Sequence, residues 1–74
     1  MVDQQKIMDI LKASGSDVEP STEDFDRSFS EIGLDSLDVY NFLSEIEVSL
    51  GKKVSDEEFQ NLNTLNDVIN FVNA

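Results

Sequence analysis

The sequence predicts an all-α domain, a small four-helix bundle with a long first loop and a short third helix. Three observations predict it. Apolar residues recur at helical spacing in four segments. No segment alternates apolar and polar residues with the period of two that a half-buried strand requires. Capping residues flank the helical segments. Since the chain has 74 residues, we expect one domain spanning residues 1–74.

The first helix is expected over roughly residues 3–14, followed by Gly15, a residue type that commonly ends helices in the left-handed conformation. Its apolar side chains share one face: Ile7, Ile10 and Leu11. Helical periodicity disappears over residues 16–33, where we expect an ordered loop. Apolar side chains along this segment provide anchors on a core: Val18, Phe25, Phe29 and Ile32.

Each of the three later helices is introduced by a capping residue with an acid three positions further on, the pattern of a capping box. The pairs are Asp35 with Asp38, Ser55 with Glu58, and Thr64 with Asp67. The second helix is expected to end near Leu50, with Gly51 as its cap. An apolar residue before each of the first two boxes also predicts a hydrophobic staple, Leu34 with Val39 and Val54 with Phe59.

The second helix has two apolar faces when its residues are placed at about 100° per position. One is a conventional buried stripe: Val39, Phe42, Leu43, Ile46 and Leu50. The opposite stripe holds Leu37, Tyr40, Asn41, Ser44 and Val48, and it is flanked by Asp38, Glu45 and Glu47. An apolar centre with a charged rim is typical of an interface. Isolated exposed apolar side chains are also normal, so the pattern alone leaves both interpretations open.

The composition excludes several functions. Sixteen acids against five bases give a net charge of −11, which disfavours nucleic acids and anionic membranes and favours basic partner proteins. The absence of histidine and cysteine excludes Ser-His-Asp and Cys-His nucleophiles, disulfides and thiolate metal sites. No apolar run exceeds two residues, which argues against membrane insertion and a signal peptide. We expect a soluble, cytoplasmic monomer.

Ser36 is the residue with the clearest chemical potential, because it follows the predicted cap Asp35 at the start of the second helix. A hydroxyl there lies among unpaired backbone N–H groups at the positive end of the helix dipole, where an attached phosphate is stabilised. The chain offers no obvious base to activate it, so another protein would have to do the chemistry. Considered alone, Ser36 is better explained as an ordinary helix start.

The segment around this serine closely resembles the signature of acyl carrier proteins. It reads Phe-Ser-Glu-Ile-Gly-Leu-Asp-Ser-Leu-Asp over residues 29–38. In that family the Asp-Ser-Leu motif carries 4'-phosphopantetheine on the serine. The second-helix pattern, residues 53–58 and the Thr64-Leu65 helix entry extend the resemblance over roughly residues 25–72. The resemblance implies a bundle of the acyl-carrier type.

The resemblance also implies roles for individual residues. Ser36 would accept the 4'-phosphopantetheine arm from coenzyme A through a separate phosphopantetheinyl transferase, and the thiol of the arm would carry acyl groups as thioesters. Asp35 matches the aspartate that helps the transferase and its metal engage. The chain itself would be a non-catalytic carrier without a metal site of its own. Its partners would be acyl-loading and acyl-transferring enzymes with basic docking patches.

Two further sets of residues follow from the resemblance and the two faces of the second helix. We define the docking face as Leu37, Asp38, Tyr40, Asn41, Ser44, Glu45, Glu47 and Val48. The candidates to line a pocket for the acyl group are Phe42, Ile46, Val54, Phe59 and Leu62.

The chain departs from housekeeping fatty-acid carriers on the docking face. Asn41 replaces a usual glutamate, Ser44 often replaces a larger apolar residue, and Val48 interrupts an acidic run. Leu34 before the Asp-Ser-Leu motif is more similar to polyketide-type or specialised carriers. The pathway is therefore left open among fatty-acid, polyketide and specialised lipid synthesis.

Two other functions compete with the carrier. The first is an unmodified acidic adaptor that docks through the second helix without using Ser36. The second is a calcium-binding loop of the EF-hand type, because Asp24, Asp26, Ser28 and Ser30 alternate as its ligands would. Its sixth position, however, is Phe29 rather than the glycine that the sharp turn requires.

Overall fold

The computed structural model describes all 74 residues and confirms the all-α bundle. The four α-helices are α1 (Gln4–Ala13), α2 (Ser36–Leu50), α3 (Asp56–Asn61) and α4 (Leu65–Asn73). Two 3₁₀ helices, η1 (Thr22–Asp26) and η2 (Ser30–Ile32), lie between α1 and α2. The chain forms no strand, only an isolated antiparallel bridge between Ser28 and Thr64. No helix has the length and apolar character needed to cross a membrane.

The core is one cluster of 13 buried apolar side chains, to which α1, α2 and α4 contribute most. The stripes predicted for α1 and α2 face inward, apart from the half-buried Leu50 at the end of α2. On α4, Leu65 and Val68 are fully buried, while Ile69 and Val72 are half-buried. α1 packs against both α2 and α4. No buried polar side-chain atom lacks a hydrogen-bond partner.

The long first loop is ordered, but it is more helical than the sequence predicts. Its two 3₁₀ helices are too short to show an apolar stripe, so periodicity could not detect them. Phe25 in η1 is fully buried, and η1 packs against α4. The side-chain amide of Asn66 on α4 donates a hydrogen bond to the carboxylate of Asp26. These contacts hold the first part of the loop against α4.

A second tie joins the loop to the link between α3 and α4. The backbone N–H of Phe29 donates to the carbonyl of Asn63 at 3.0 Å, next to the Ser28–Thr64 bridge. Phe29 itself is buried in the core. The segment that leads into α2 is therefore held by residues more than thirty positions away in the sequence.

The candidate carrier site at the start of α2

The turn before α2 fixes the direction in which that helix begins. Gly33 ends η2 with a φ of +90°, a left-handed conformation that favours glycine. The N–H of Leu34 then donates to the carbonyl of Phe29 at 2.9 Å, and the Leu34 side chain is only 2 % exposed. Leu34 and Val39 are both buried in the core cluster, where the predicted staple requires them. The buried side chains of Leu34 before Ser36 and of Val39 after it therefore anchor the start of the helix.

The predicted capping box of α2 is confirmed. The Asp35 carboxylate accepts a hydrogen bond from the N–H of Asp38 at 2.9 Å, and the Asp38 carboxylate accepts one from the N–H of Asp35 at 3.2 Å. Each carboxylate satisfies a backbone donor that the helix leaves without an internal acceptor. Both also place negative charge at the positive end of the helix dipole.

Ser36 is the first residue of α2, and its side chain is exposed to solvent. Its hydroxyl makes no hydrogen bond within the chain. The backbone N–H groups of Ser36 and Leu37 also have no acceptor in the chain. The N–H of Asp38, by contrast, donates to the Asp35 carboxylate, and the N–H of Val39 donates to the Asp35 carbonyl. An accessible hydroxyl beside two free N–H donors suits a phosphate ester, since both the donors and the dipole favour its charge.

A surface cleft of about 490 Å³ adjoins Ser36 and lies between the start of α2, η2 and the end of α3. Its apolar lining comes from Phe29, Leu34, Val39, Phe59 and Leu62. Its polar lining comes from Asp35 and Ser36, together with Ser28, Ser30, Gln60 and Asn63. The cleft beside Ser36 is therefore lined by both apolar and polar side chains.

The structure distributes the five candidate pocket residues over three places. Phe59 and Leu62 line the cleft beside Ser36. Val54 lines a separate cavity of about 150 Å³, to which Phe59 also contributes. Phe42 and Ile46 are fully buried and line no cavity.

The sequence reasoning missed three apolar residues of the cleft: Phe29, Leu34 and Val39. Leu34 and Val39 are close to Ser36 in sequence, where the sequence predicts them as the hydrophobic staple of α2. A pocket beside the serine could have been suspected from that proximity. The contribution of Phe29 depends on the fold of the loop.

The docking face is accessible. Leu37, Tyr40 and Val48 are 67 %, 62 % and 80 % exposed, which is unusual for large apolar side chains on a helix of this domain. Asn41, Ser44 and Glu47 are also exposed, while Asp38 and Glu45 are half-buried. The apolar centre and the acidic margins predicted from the helical positions are therefore present on one surface of α2.

Glu31 stabilises η2 next to the cleft. The backbone N–H and the hydroxyl of Ser28 donate to the Glu31 carboxylate at 3.1 and 2.9 Å. These hydrogen bonds, with a smaller contribution from the charge of Arg27, lower the pKa of Glu31 from its ordinary value. The Glu31 carboxylate therefore stabilises the local backbone structure.

The EF-hand interpretation has no support in the geometry. The candidate loop, residues 24–35, includes the end of η1 and the whole of η2. Asp24 caps η1 by accepting from the N–H of Ser21 at 2.9 Å, Asp26 accepts from Asn66, and Asp35 caps α2. No three acidic side chains in the chain come together as ligands for one ion.

Comparison with known families and structures identifies the class of protein. A family model described as a phosphopantetheine attachment site matches residues 4–72, which is nearly the whole chain. The chain therefore belongs to the acyl carrier protein family, whose members carry covalently attached 4'-phosphopantetheine. The accessible Ser36 hydroxyl, the free N–H groups and the adjacent cleft fit this group.

The fold is also that of a solved carrier. The chain is similar to butyryl-ACP from the actinorhodin polyketide synthase of Streptomyces coelicolor, determined by NMR in solution. The TM-score is 0.81 at 20 % sequence identity, and the match covers 99 % of this chain and 88 % of that one. The similarity places the helices and the long loop in the acyl-carrier arrangement.

Proposed function

We propose that this protein is an acyl carrier in which Ser36 bears the 4'-phosphopantetheine arm. The observation that carries the proposal is the exposed Ser36 hydroxyl at the start of α2, free of hydrogen bonds and beside two free N–H donors. When bound, the arm supplies a terminal thiol that holds acyl groups as thioesters. The net charge of −11 and the absence of histidine and cysteine fit a carrier that leaves catalysis to its partners.

Attachment requires a separate transferase. The Ser36 oxygen forms a bond to the phosphorus on the pantetheine side of the coenzyme A pyrophosphate, and the bond from that phosphorus to the bridging oxygen breaks. Adenosine bisphosphate leaves, and the serine proton passes to a base on the transferase. In this chain Ser36 supplies the nucleophilic oxygen, the free N–H groups of Ser36 and Leu37 favour the ester phosphate, and Asp35 holds the helix start in place.

The proposal is tested by intact-mass spectrometry after incubation with coenzyme A, magnesium and a broad-specificity phosphopantetheinyl transferase. We expect one phosphopantetheinyl mass gain in the native chain and none in Ser36→Ala. Ser49→Ala is the matched control, because Ser49 is also an exposed serine of α2 but lies at the other end of the helix. It should be modified at the native rate.

Two results would contradict the assignment. A full gain in Ser36→Ala would place the arm on another residue. No gain in the native chain, with a second carrier modified in the same tube, would favour the adaptor, whose supporting observation is the exposed Leu37, Tyr40 and Val48. The adaptor also predicts that Ser36→Ala binds its partner with unchanged affinity.

We further propose that the docking face binds the transferase and the acyl-transferring enzymes through their basic patches. Its support is the exposed apolar centre with Glu47 on one margin and Asp38 and Glu45 on the other. Glu47→Lys should reduce the modification rate constant at low salt by about tenfold, which corresponds to about 1.4 kcal/mol. Glu19→Lys makes the same charge change on the long loop and should have little effect. Equal losses in both variants would show that only net charge matters.

The pathway follows from which enzymes accept the carrier. We propose fatty-acid, polyketide or specialised lipid synthesis, with residues 1–74 acting as a single carrier domain in a cytoplasmic monomer. Asn41 and Val48 favour a dedicated route over general fatty-acid synthesis, since they weaken the acidic docking pattern of housekeeping carriers. Leu34 before the Asp-Ser-Leu motif is more similar to polyketide-type or specialised carriers. Transfer rates from the loaded protein to chain-elongating enzymes of each class would decide between these routes.

A further inference from the structure

A second groove, of about 390 Å³, lies between the solvent-facing side of α1 and the first part of the long loop. Its lining comes from residues 16–20 of the loop and from four residues of α1: Gln5, Met8, Asp9 and Lys12. None of these residues belongs to α2, and none lines the cleft beside Ser36. The groove is therefore distinct from both the attachment site and the docking face.

The two walls of this groove are held in place by the core. On the loop side, Pro20 is buried, and the half-buried Val18 packs against the core cluster. The N–H of Val18 also donates to the hydroxyl oxygen of Ser16 at 3.1 Å. On the α1 side, Met8 is half-buried and packs against the same cluster. The groove therefore has a preformed aliphatic surface.

The charges along the groove are mostly negative and lack partners. The Asp17 and Glu19 carboxylates make no hydrogen bond or ion pair within the chain, and Asp9 accepts only from the Gln5 amide, at 3.0 Å. Lys12 is the one cation of the groove, and it also forms no ion pair. The three carboxylates do not come together as ligands for one metal ion. Their charge is spread beside aliphatic surface, which is complementary to a cationic group on a long apolar stem.

We propose that this groove binds an arginine side chain from a basic segment of a partner protein. A guanidinium group is weakly hydrated and has five N–H donors, so it can bind carboxylates while its stem lies on an apolar surface. Asp17 and Glu19 accept hydrogen bonds from the guanidinium group, and Met8 and Val18 contact the methylenes of the stem. A partner bound here leaves the docking face accessible, so one protein can hold the chain while another binds α2.

The test follows the amide chemical shifts of the nitrogen-15-labelled protein while the blocked peptide acetyl-Ala-Arg-Ala-amide is added at low, constant salt. We expect saturable shifts at Met8, Asp17 and Val18. The same peptide with citrulline, which keeps the stem but has no charge, should bind about fivefold more weakly. A peptide whose arginine analogue has a stem shorter by two methylenes should bind about three- to tenfold more weakly, because it loses apolar contact.

Variants assign the binding to residues. Asp17→Asn and Glu19→Gln, made singly, should each weaken binding of the arginine peptide by about two- to fivefold. Glu57→Gln is the matched control, because Glu57 is an exposed acid of α3 that does not line the groove. Lys12→Gln should strengthen binding about twofold by removing the one cation of the groove. Lys53→Gln makes the same charge change outside the groove and should have little effect.

Several outcomes would overturn the proposal. Equal weakening by Asp17→Asn and Glu57→Gln would show that only net charge attracts the peptide. Shifts confined to the docking face, or no saturable shift at all, would show that the groove does not bind arginine. Tighter binding of acetyl-Ala-Glu-Ala-amide, lost in Lys12→Gln, would show that the groove takes an anion instead.

This proposal does not depend on the attachment of an arm to Ser36. Ser36→Ala should bind the arginine peptide with native affinity, because Ser36 does not line the groove. Failure of the mass gain at Ser36 would therefore remove the carrier proposal and leave the groove intact, whereas failure of the peptide titration would remove only the groove.

Discussion

The start of α2 and the short helix α3 form facing sides of the same cleft, yet they are held in different ways. Both begin with a complete capping box, Asp35 with Asp38 and Ser55 with Glu58. The start of α2 is also flanked by the buried side chains of Leu34 and Val39. α3 has no buried residue at all. Capping determines where each helix begins, whereas burial determines how firmly the helix is attached to the core.

This difference has a functional consequence. Ser36 lies on the side that burial anchors, so the position of its hydroxyl is well defined. Gln60 lies on the side attached mainly through the half-buried Phe59 and the adjoining Leu62. Regions with few buried apolar contacts open at low free-energy cost. The cleft therefore combines a firmly held serine with a wall that is less firmly attached to the core.

The free energy of unfolding should change most when the apolar side chains that attach the two sides of the cleft to the core are truncated. Leu34→Ala should lower the free energy of unfolding by about 2–5 kcal/mol, because it leaves a cavity in the core at a site that is 2 % exposed. Phe59→Ala should cost less, about 1–2 kcal/mol, since solvent already reaches part of the ring. Urea unfolding followed by circular dichroism measures both. A larger loss for Phe59→Ala than for Leu34→Ala would reverse the comparison.

A smaller effect is expected from removing the two caps. Asp35→Ala should lower the free energy of unfolding by about 1 kcal/mol and the Tm by about 4–8 °C, because α2 unfolds with the whole domain. Ser55→Ala removes an equivalent cap, but α3 opens locally, so the Tm should change less. Amide hydrogen exchange within α3 should instead become faster. Equal Tm losses in the two variants would show that α3 unfolds only with the core.

The smallest effect concerns Glu31, which holds η2 beside the cleft. Its pKa is lowered in the folded protein, so ionised Glu31 stabilises the fold above its ordinary pKa of 4.5, and this stabilisation is lost as the pH falls through the folded pKa. Glu31→Gln should therefore be slightly less stable than the native protein at pH 7. The difference should disappear in acid. The measurement is the difference in free energy of unfolding between Glu31→Gln and the native protein at each pH. This difference isolates Glu31, because both proteins lose charge repulsion as the other acids become protonated.

Much of the fold was predictable because its signals are local. The capping boxes, the left-handed Gly51 and the two faces of α2 all depend on residues within a few positions of one another. The position of Ser36 at the first turn of α2 follows from the same signals. The 3₁₀ helices escaped prediction because three to five residues are too few to establish a period.

The amino-acid sequence was enough to predict the fold class, the helix starts, the acidic surface and the position of the serine at a helix N-terminus, because capping and amphipathic periodicity act between near neighbours in the chain. Which apolar residues surround the space beside Ser36 depends instead on how distant segments pack together. Phe42 and Ile46 share the inward face of α2, but the packing of other helices closes over them. Phe29 and Asn63 meet because a backbone hydrogen bond joins segments far apart in sequence. A cleft is the space left between such segments, so its shape depends on the packing of the whole chain.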